Sequence, residues 1–141
     1  HRRSLYIFTQ RSLLPPMMSA FDLCDSTLPC GQRDVTIVAP QALTLLNNEF
    51  IHRRADTLAA SVRVSHPETV SVQIDEVWRA ILNRSPSQTE IRMATEHLRR
   101  QTERFQLPES EKSQRTQSAQ ELALASLCLV LFNSNEFIYV D

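Results

Sequence analysis

From residue 40 onward, apolar side chains recur at three- and four-residue steps, the spacing that places them on one face of a helix. Between Pro40 and Val64 the stripe is Leu43, Leu46, Phe50, Ala55, Leu58 and Val62, with one five-residue step from Phe50 to Ala55. Pro40 has a fixed φ and no amide proton, which suits the first position of a helix. The pattern predicts one long helix over 40–64. Asn47-Asn48 interrupts it, and asparagine tolerates helix-ending conformations, so two shorter helices are the alternative.

Ser65-His66-Pro67 is a break. The stripe Ile74, Val77, Trp78, Ile81, Leu82 then predicts a second amphipathic helix, with Asp75 and Arg79 paired on its outer side. Asn83-Arg84-Ser85-Pro86 stops it. Ser87 and Glu90 have the spacing of a capping box, and Ile91, Ala94, Leu98 and Phe105 mark the inner face of the helix that follows. Residues 106–117 hold Pro108, several charges and a lone apolar Leu107, and read as a loop. Residues 118–132 are apolar almost all round, which puts that helix in the middle of a bundle, while residues 136–140 close the chain as an extended or single-turn tail.

The first third is irregular. Leu5-Tyr6-Ile7-Phe8 is too short to assign by period, Pro15-Pro16 opens a short turn of helix, and residues 22–34 are turn-rich. A strap of coil over residues 1–39 is expected, held to the helical body by Tyr6, Phe8, Met17 and Phe21. The fold class is therefore all-α: a small bundle of four to five helices with an irregular N-terminal segment packed across it. The chain is read as a single helical domain over 1–141, and as a fragment of a longer protein.

Composition narrows the chemistry. Gly31 is the only glycine, which removes phosphate-cradling loops and dinucleotide fingerprints, since these require glycines at fixed offsets. Fifteen basic residues face sixteen acidic ones, so the overall field favours no nucleic acid. No apolar run reaches membrane-spanning length.

Candidate catalytic groups do not assemble along the chain. His52, His66 and His97 are far apart in sequence, with no serine or carboxylate at a catalytic offset, and read as surface or partly packed side chains. Asp75 and Glu76 are neighbours on a helix and diverge. His52-Arg53-Arg54 and Arg99-Arg100 with Arg104 are basic clusters that could meet an anionic glycan or phosphate, although a solvated face is the simpler reading. Cys24, Asp25, Cys30 and Asp34 lack zinc-ligand spacing, so no metal site is assigned. No Cys-x-x-Cys-His haem motif is present, and no cofactor is expected in this domain. Cys128, inside the apolar helix, reads as a buried small hydrophobe.

An ordered series of motifs points to a family. It runs Arg2-Arg3-Ser4-Leu5-Tyr6, Pro15-Pro16-Met17-Met18, Phe21-Asp22, Cys30-x-x-Arg33, Thr36-x-Val38-Ala39-Pro40-Gln41-Ala42-Leu43 and Leu46-Asn47. It closes with Ser126-Leu127-Cys128 and Leu131-Phe132-Asn133-Ser134-Asn135-Glu136-Phe137-Ile138-Tyr139-Val140. The series resembles the C-terminal planctomycete secreted domain of unknown function, which ends large exported proteins that often carry a planctomycete cytochrome-c-like domain. Residues 52–120 match mainly in pattern, and the family more often has glycine at the position of Asn83.

The resemblance implies export, hence a secreted or periplasmic location, and a multi-domain parent; it carries no assigned activity. In an exported protein Cys24 and Cys30 could be bridged, with two unbridged thiols the alternative. Arg33 and Gln41, at family-matching positions beside the first helix, are the candidate ligand-binding residues; their other role is to tie coil to bundle through backbone carbonyls. The leading functional reading is a non-catalytic helical module that docks other domains of its parent or a partner. The alternative is part of a shared enzymatic or electron-transfer site acting on polysaccharide-related substrates.

Overall fold

Asn48 divides the first long apolar stripe into two helices. In the computed structural model, which describes Tyr6, Phe8, Gly31 and residues 16–21, 39–67, 69–106 and 117–139, α2 runs Ala39–Asn47 and α3 runs Glu49–Ser65. Asn48 sits between them at φ −80° and ψ 120°, and its side-chain oxygen accepts the Phe50 amide proton at 2.8 Å. This is an N-cap, which an asparagine provides by satisfying an amide that the helix itself leaves unpaired. The single helix expected over 40–64 is thus corrected to the two-helix alternative. His52 spans the break, its ring Nε2 donating to the Leu46 carbonyl at 2.7 Å.

The chain divides into two compact units, residues 1–44 and 45–141. In the first, α1 covers Pro16–Ala20, the short turn foreseen after Pro15-Pro16. Met17 and Phe21 are half-buried, but Tyr6 and Phe8 are exposed, contrary to the anchoring role expected of them. A run of four apolar residues has no period, so it does not say which side chains are covered. The rest of the expected strap lies outside the described residues.

The second unit holds α3, α4 (Val70–Leu82), α5 (Gln88–Phe105), α6 (Ala119–Phe132) and the single turn α7 (Asn135–Ile138). Among the described residues no strand forms, and the all-α expectation holds. The apolar helix α6 is the hub, touching α3, α4 and α5, most extensively α5 and α3. Ala123, Leu124, Ala125, Leu127, Cys128 and Leu131 on it are buried. Small side chains face it, Ala55 and Ala59 from α3 and Ala94 from α5. With so little bulk between them the helices approach closely, and Ile74, Val77 and Trp78 of α4 fill the remaining core. Full burial of a residue such as Ile74 contributes about 1.5–3 kcal/mol.

On α3 the buried face is Ile51, Ala55, Ala59 and Val62. Leu43, Leu46 and Phe50, placed on the inner stripe by their spacing, are 55%, 50% and 46% exposed. Past the break at Asn48, Ala55 and Val62 keep the inner face that the spacing gives them, joined by Ile51 and Ala59 in place of Phe50. The element boundaries behave as their end residues dictate. Asn83 ends α4 at φ 57°, ψ 27°, a left-handed conformation that asparagine tolerates better than most side chains. Ser87 and Glu90 form the capping box of α5. Ser118 caps α6, and Ser134 caps α7 by accepting the Phe137 amide proton.

Candidate functional site

The residues singled out from sequence fall in the N-terminal unit. Arg33, Cys24 and Cys30 lie outside the described residues. Gln41 is on α2, where it is buried. The helical unit holds the geometry that can be built in full.

Its tightest polar cluster centres on Arg84, in the turn between α4 and α5. Nε and Nη2 donate to Glu136 Oε1 and Oε2 at 2.6 and 2.8 Å. Nη1 and Nη2 donate to Glu90 Oε2 and Oε1 at 3.0 and 2.7 Å, and Nη1 also reaches the Ser85 carbonyl at 3.1 Å. A guanidinium has five N–H donors, and all are engaged here. Glu90 Oε2 in turn accepts the Ser87 amide proton at 2.7 Å, so the clamp and the capping box share a carboxylate. The Arg84 hydrogen bonds hold both Glu90 and Glu136 well below the usual carboxylate range, with the Ser87 amide adding to the effect on Glu90. A saturated guanidinium has nothing left for a ligand. Arg84 therefore holds α7 to the α4–α5 turn, an interaction whose members lie in two segments the sequence reading marked separately but did not join.

Arg53, Arg99 and Arg100 of the basic clusters are matched by acids on their own helices. Arg53 pairs with Glu49 at 2.6 Å, Arg99 with Glu96 and Glu103, and Arg100 with Glu96, whose carboxyl is held down at about 2 by those two arginines. Arg54 lies over the Phe50 ring, 5.0 Å from its centroid. Helical i, i+3 and i, i+4 spacing makes such pairing automatic, and it removes most of the positive field these clusters carried on paper.

Two groups with reactive potential are occupied or masked. His97 on α5 meets Ser126 Oγ on α6 at 3.2 Å, and partial burial lowers its pKa, which favours the neutral ring. Cys128 is fully buried and its thiol is pushed up to about 12 by desolvation. A thiol so placed is not a nucleophile at neutral pH. Among the described residues no three potential metal ligands come together, and no helix there is long and apolar enough to cross a membrane.

A cleft of about 440 Å³ lies between the end of α3, the start of α4, the second half of α5 and the start of α6. Leu98 and Leu124 supply apolar wall, and Arg63, Gln73, Thr102 and Gln120 supply polar groups. Arg63 Nη2 donates to Gln120 Oε1 at 2.9 Å. Gln73 is 3% exposed, and its Nε2 donates to the His66 carbonyl, tying the start of α4 to the end of α3. Nothing in the sequence pattern marked this cleft, because its residues come from four helices and share no spacing.

Residues 1–98 match the model of a family described as PSD1, protein of unknown function (DUF1553). No curated protein and no solved structure matches the chain.

Proposed function

The chain belongs to the PSD1 family of proteins of unknown function (DUF1553), and on that premise we propose that it is a non-catalytic helical module that docks other domains of a larger exported protein. Support comes from one observation in the helical unit: Leu46 and Phe50, two large apolar side chains on neighbouring turns, remain half-exposed around the Asn48 break. Partly exposed apolar area beside a ring that carries a cation is the chemistry of a contact surface, with Arg54 over Phe50 supplying the polar rim. Completing the burial of two such side chains would contribute roughly 1–2 kcal/mol to association, on the scale of 25 cal/mol per Å².

The resemblance to the planctomycete secreted domain names the first partner to try. On this reading the parent is secreted or periplasmic, and the partner to try is the cytochrome-c-like domain that proteins of that family often carry nearer the N-terminus. The test is a pulldown of the parent's remaining domains with this chain, wild type against Leu46→Asp and Phe50→Asp. Association weakened about tenfold by either aspartate fits the proposal. Absence of association, together with turnover of a substrate by the isolated chain, overturns it.

A further inference from the structure

Arg63 differs from Arg84 in what it has left to offer. Of the five N–H donors of its guanidinium, one is used, on Gln120 Oε1, and the others have no partner among the described residues. It lines the 440 Å³ cleft, a volume within the range of roughly 300–1,000 Å³ that small-molecule sites occupy. Glu103 on the same rim has its charge matched by Arg99, so the Arg63 charge is in surplus there.

Two further features point to an occupant. Gln73 is 3% exposed and lines the cleft, yet after Nε2 is committed to His66 its Oε1 has no partner among the described residues. That oxygen is not itself fully buried, so it stays open to the cleft and can accept a hydrogen bond from an occupant. Val70, the first residue of α4, also lines the cleft, and the N-cap Thr69 before it makes no side-chain cap. Thr69 thus leaves the first-turn amides of α4 uncapped by its own side chain, and the positive pole of that helix stands at the cleft.

We propose that this cleft binds a small organic carboxylate. The carboxylate pairs with Arg63, the apolar body lies on Val70 and the edge of Leu98, and Gln73 Oε1 accepts from any hydroxyl or amide on the ligand. Of the two arginines lining the cleft, Arg99 is paired with Glu96 and Glu103, so one open cation beside an apolar wall suits a monoanion with a hydrocarbon part, whereas a phosphate dianion would leave that wall unused. The inference is independent of the docking reading, which concerns Leu46 and Phe50.

The test is titration of the ¹⁵N-labelled full chain with hexanoate, hexanamide and inorganic phosphate, followed by backbone amide shifts. Hexanoate is expected to shift Val70, Gln73 and Gln120 saturably, with hexanamide about tenfold weaker for want of the charge. Arg63→Gln should lose about tenfold in hexanoate affinity and Arg63→Lys less, with unchanged helical circular dichroism. Hexanoate binding that Arg63→Gln leaves intact, equal binding of hexanamide or phosphate, or the absence of shifts at the cleft overturns the proposal. Should Arg63→Gln fail to fold, the hexanoate and hexanamide comparison on the wild-type chain decides alone.

Discussion

Arg84 and Glu136, 52 positions apart, meet through two parallel hydrogen bonds of 2.6 and 2.8 Å. The pair fastens the last turn of helix to the α4–α5 connection. Phe137 continues the attachment with an edge-to-face contact on Phe132, the ring centroids 5.1 Å apart.

Because Glu90 occupies the other side of the same guanidinium, removing Arg84 leaves two carboxylates facing each other. Arg84→Ala is therefore expected to destabilise the chain more than Glu136→Ala. A double-mutant cycle between Arg84 and Glu136 should give a favourable coupling that shrinks in ~1 M salt. Chemical denaturation of the four proteins measures it, and a coupling of zero at low salt would mean the contact contributes nothing.

The clamp also sets an acid limit. Glu90 and Glu136 have folded-state pKa values below their unfolded ones, so their contribution is complete above the unfolded value of about 4.5 and fades as pH falls below it. Stability in Arg84→Ala should fall less steeply between about pH 5 and pH 3 than in the wild type. Melting temperatures across that interval check the slope.

His97 acts at higher pH. Burial lowers its folded pKa from about 6.5, so protonation favours the unfolded chain, and stability declines as pH falls through 6.5 toward the folded value. His97→Gln, which keeps a polar side chain opposite Ser126, should flatten the stability profile between about pH 7 and pH 5. An unchanged profile would place the titration elsewhere.

Asn83 offers a backbone test. At φ 57° glycine is free of the Cβ conflict that a β-branched residue meets in full. Asn83→Gly should be neutral or stabilise by up to about 0.5 kcal/mol, and Asn83→Val should cost about 1–2 kcal/mol. Thermal or urea unfolding distinguishes them.

The hub helix gives the largest expected loss. Leu124→Ala should cost about 2–5 kcal/mol, since its side chain is almost fully buried where α6 meets its neighbours. Val130→Ala on the same helix, at an exposed position, should change stability by less than about 0.5 kcal/mol.

Much of the helical unit could be read along the chain. The stripe of α4, the Ser87–Glu90 capping box, the stop at Asn83 and the buried place of Cys128 are local properties, decided by spacing and end-residue chemistry, and the structure keeps each of them. The register of α3 is only partly legible: Ala55 and Val62 keep the inner place their spacing gives them, but Ala59 carries little hydrophobic signal and the spacing picks Phe50 over its neighbour Ile51. Leu43, Leu46 and Phe50 show the converse, a strong apolar pattern on side chains that stay about half-exposed.

Sequence alone determined that helices form, where most of them stop and which one is too apolar to face water, because those outcomes depend on neighbours within a turn or two. Tertiary structure alone decided that Arg84 spans Glu90 and Glu136, and that Arg63 and Gln73 share a cleft. Such partnerships depend on which helix faces bury together, and no spacing along the chain encodes the distance between groups 52 residues apart.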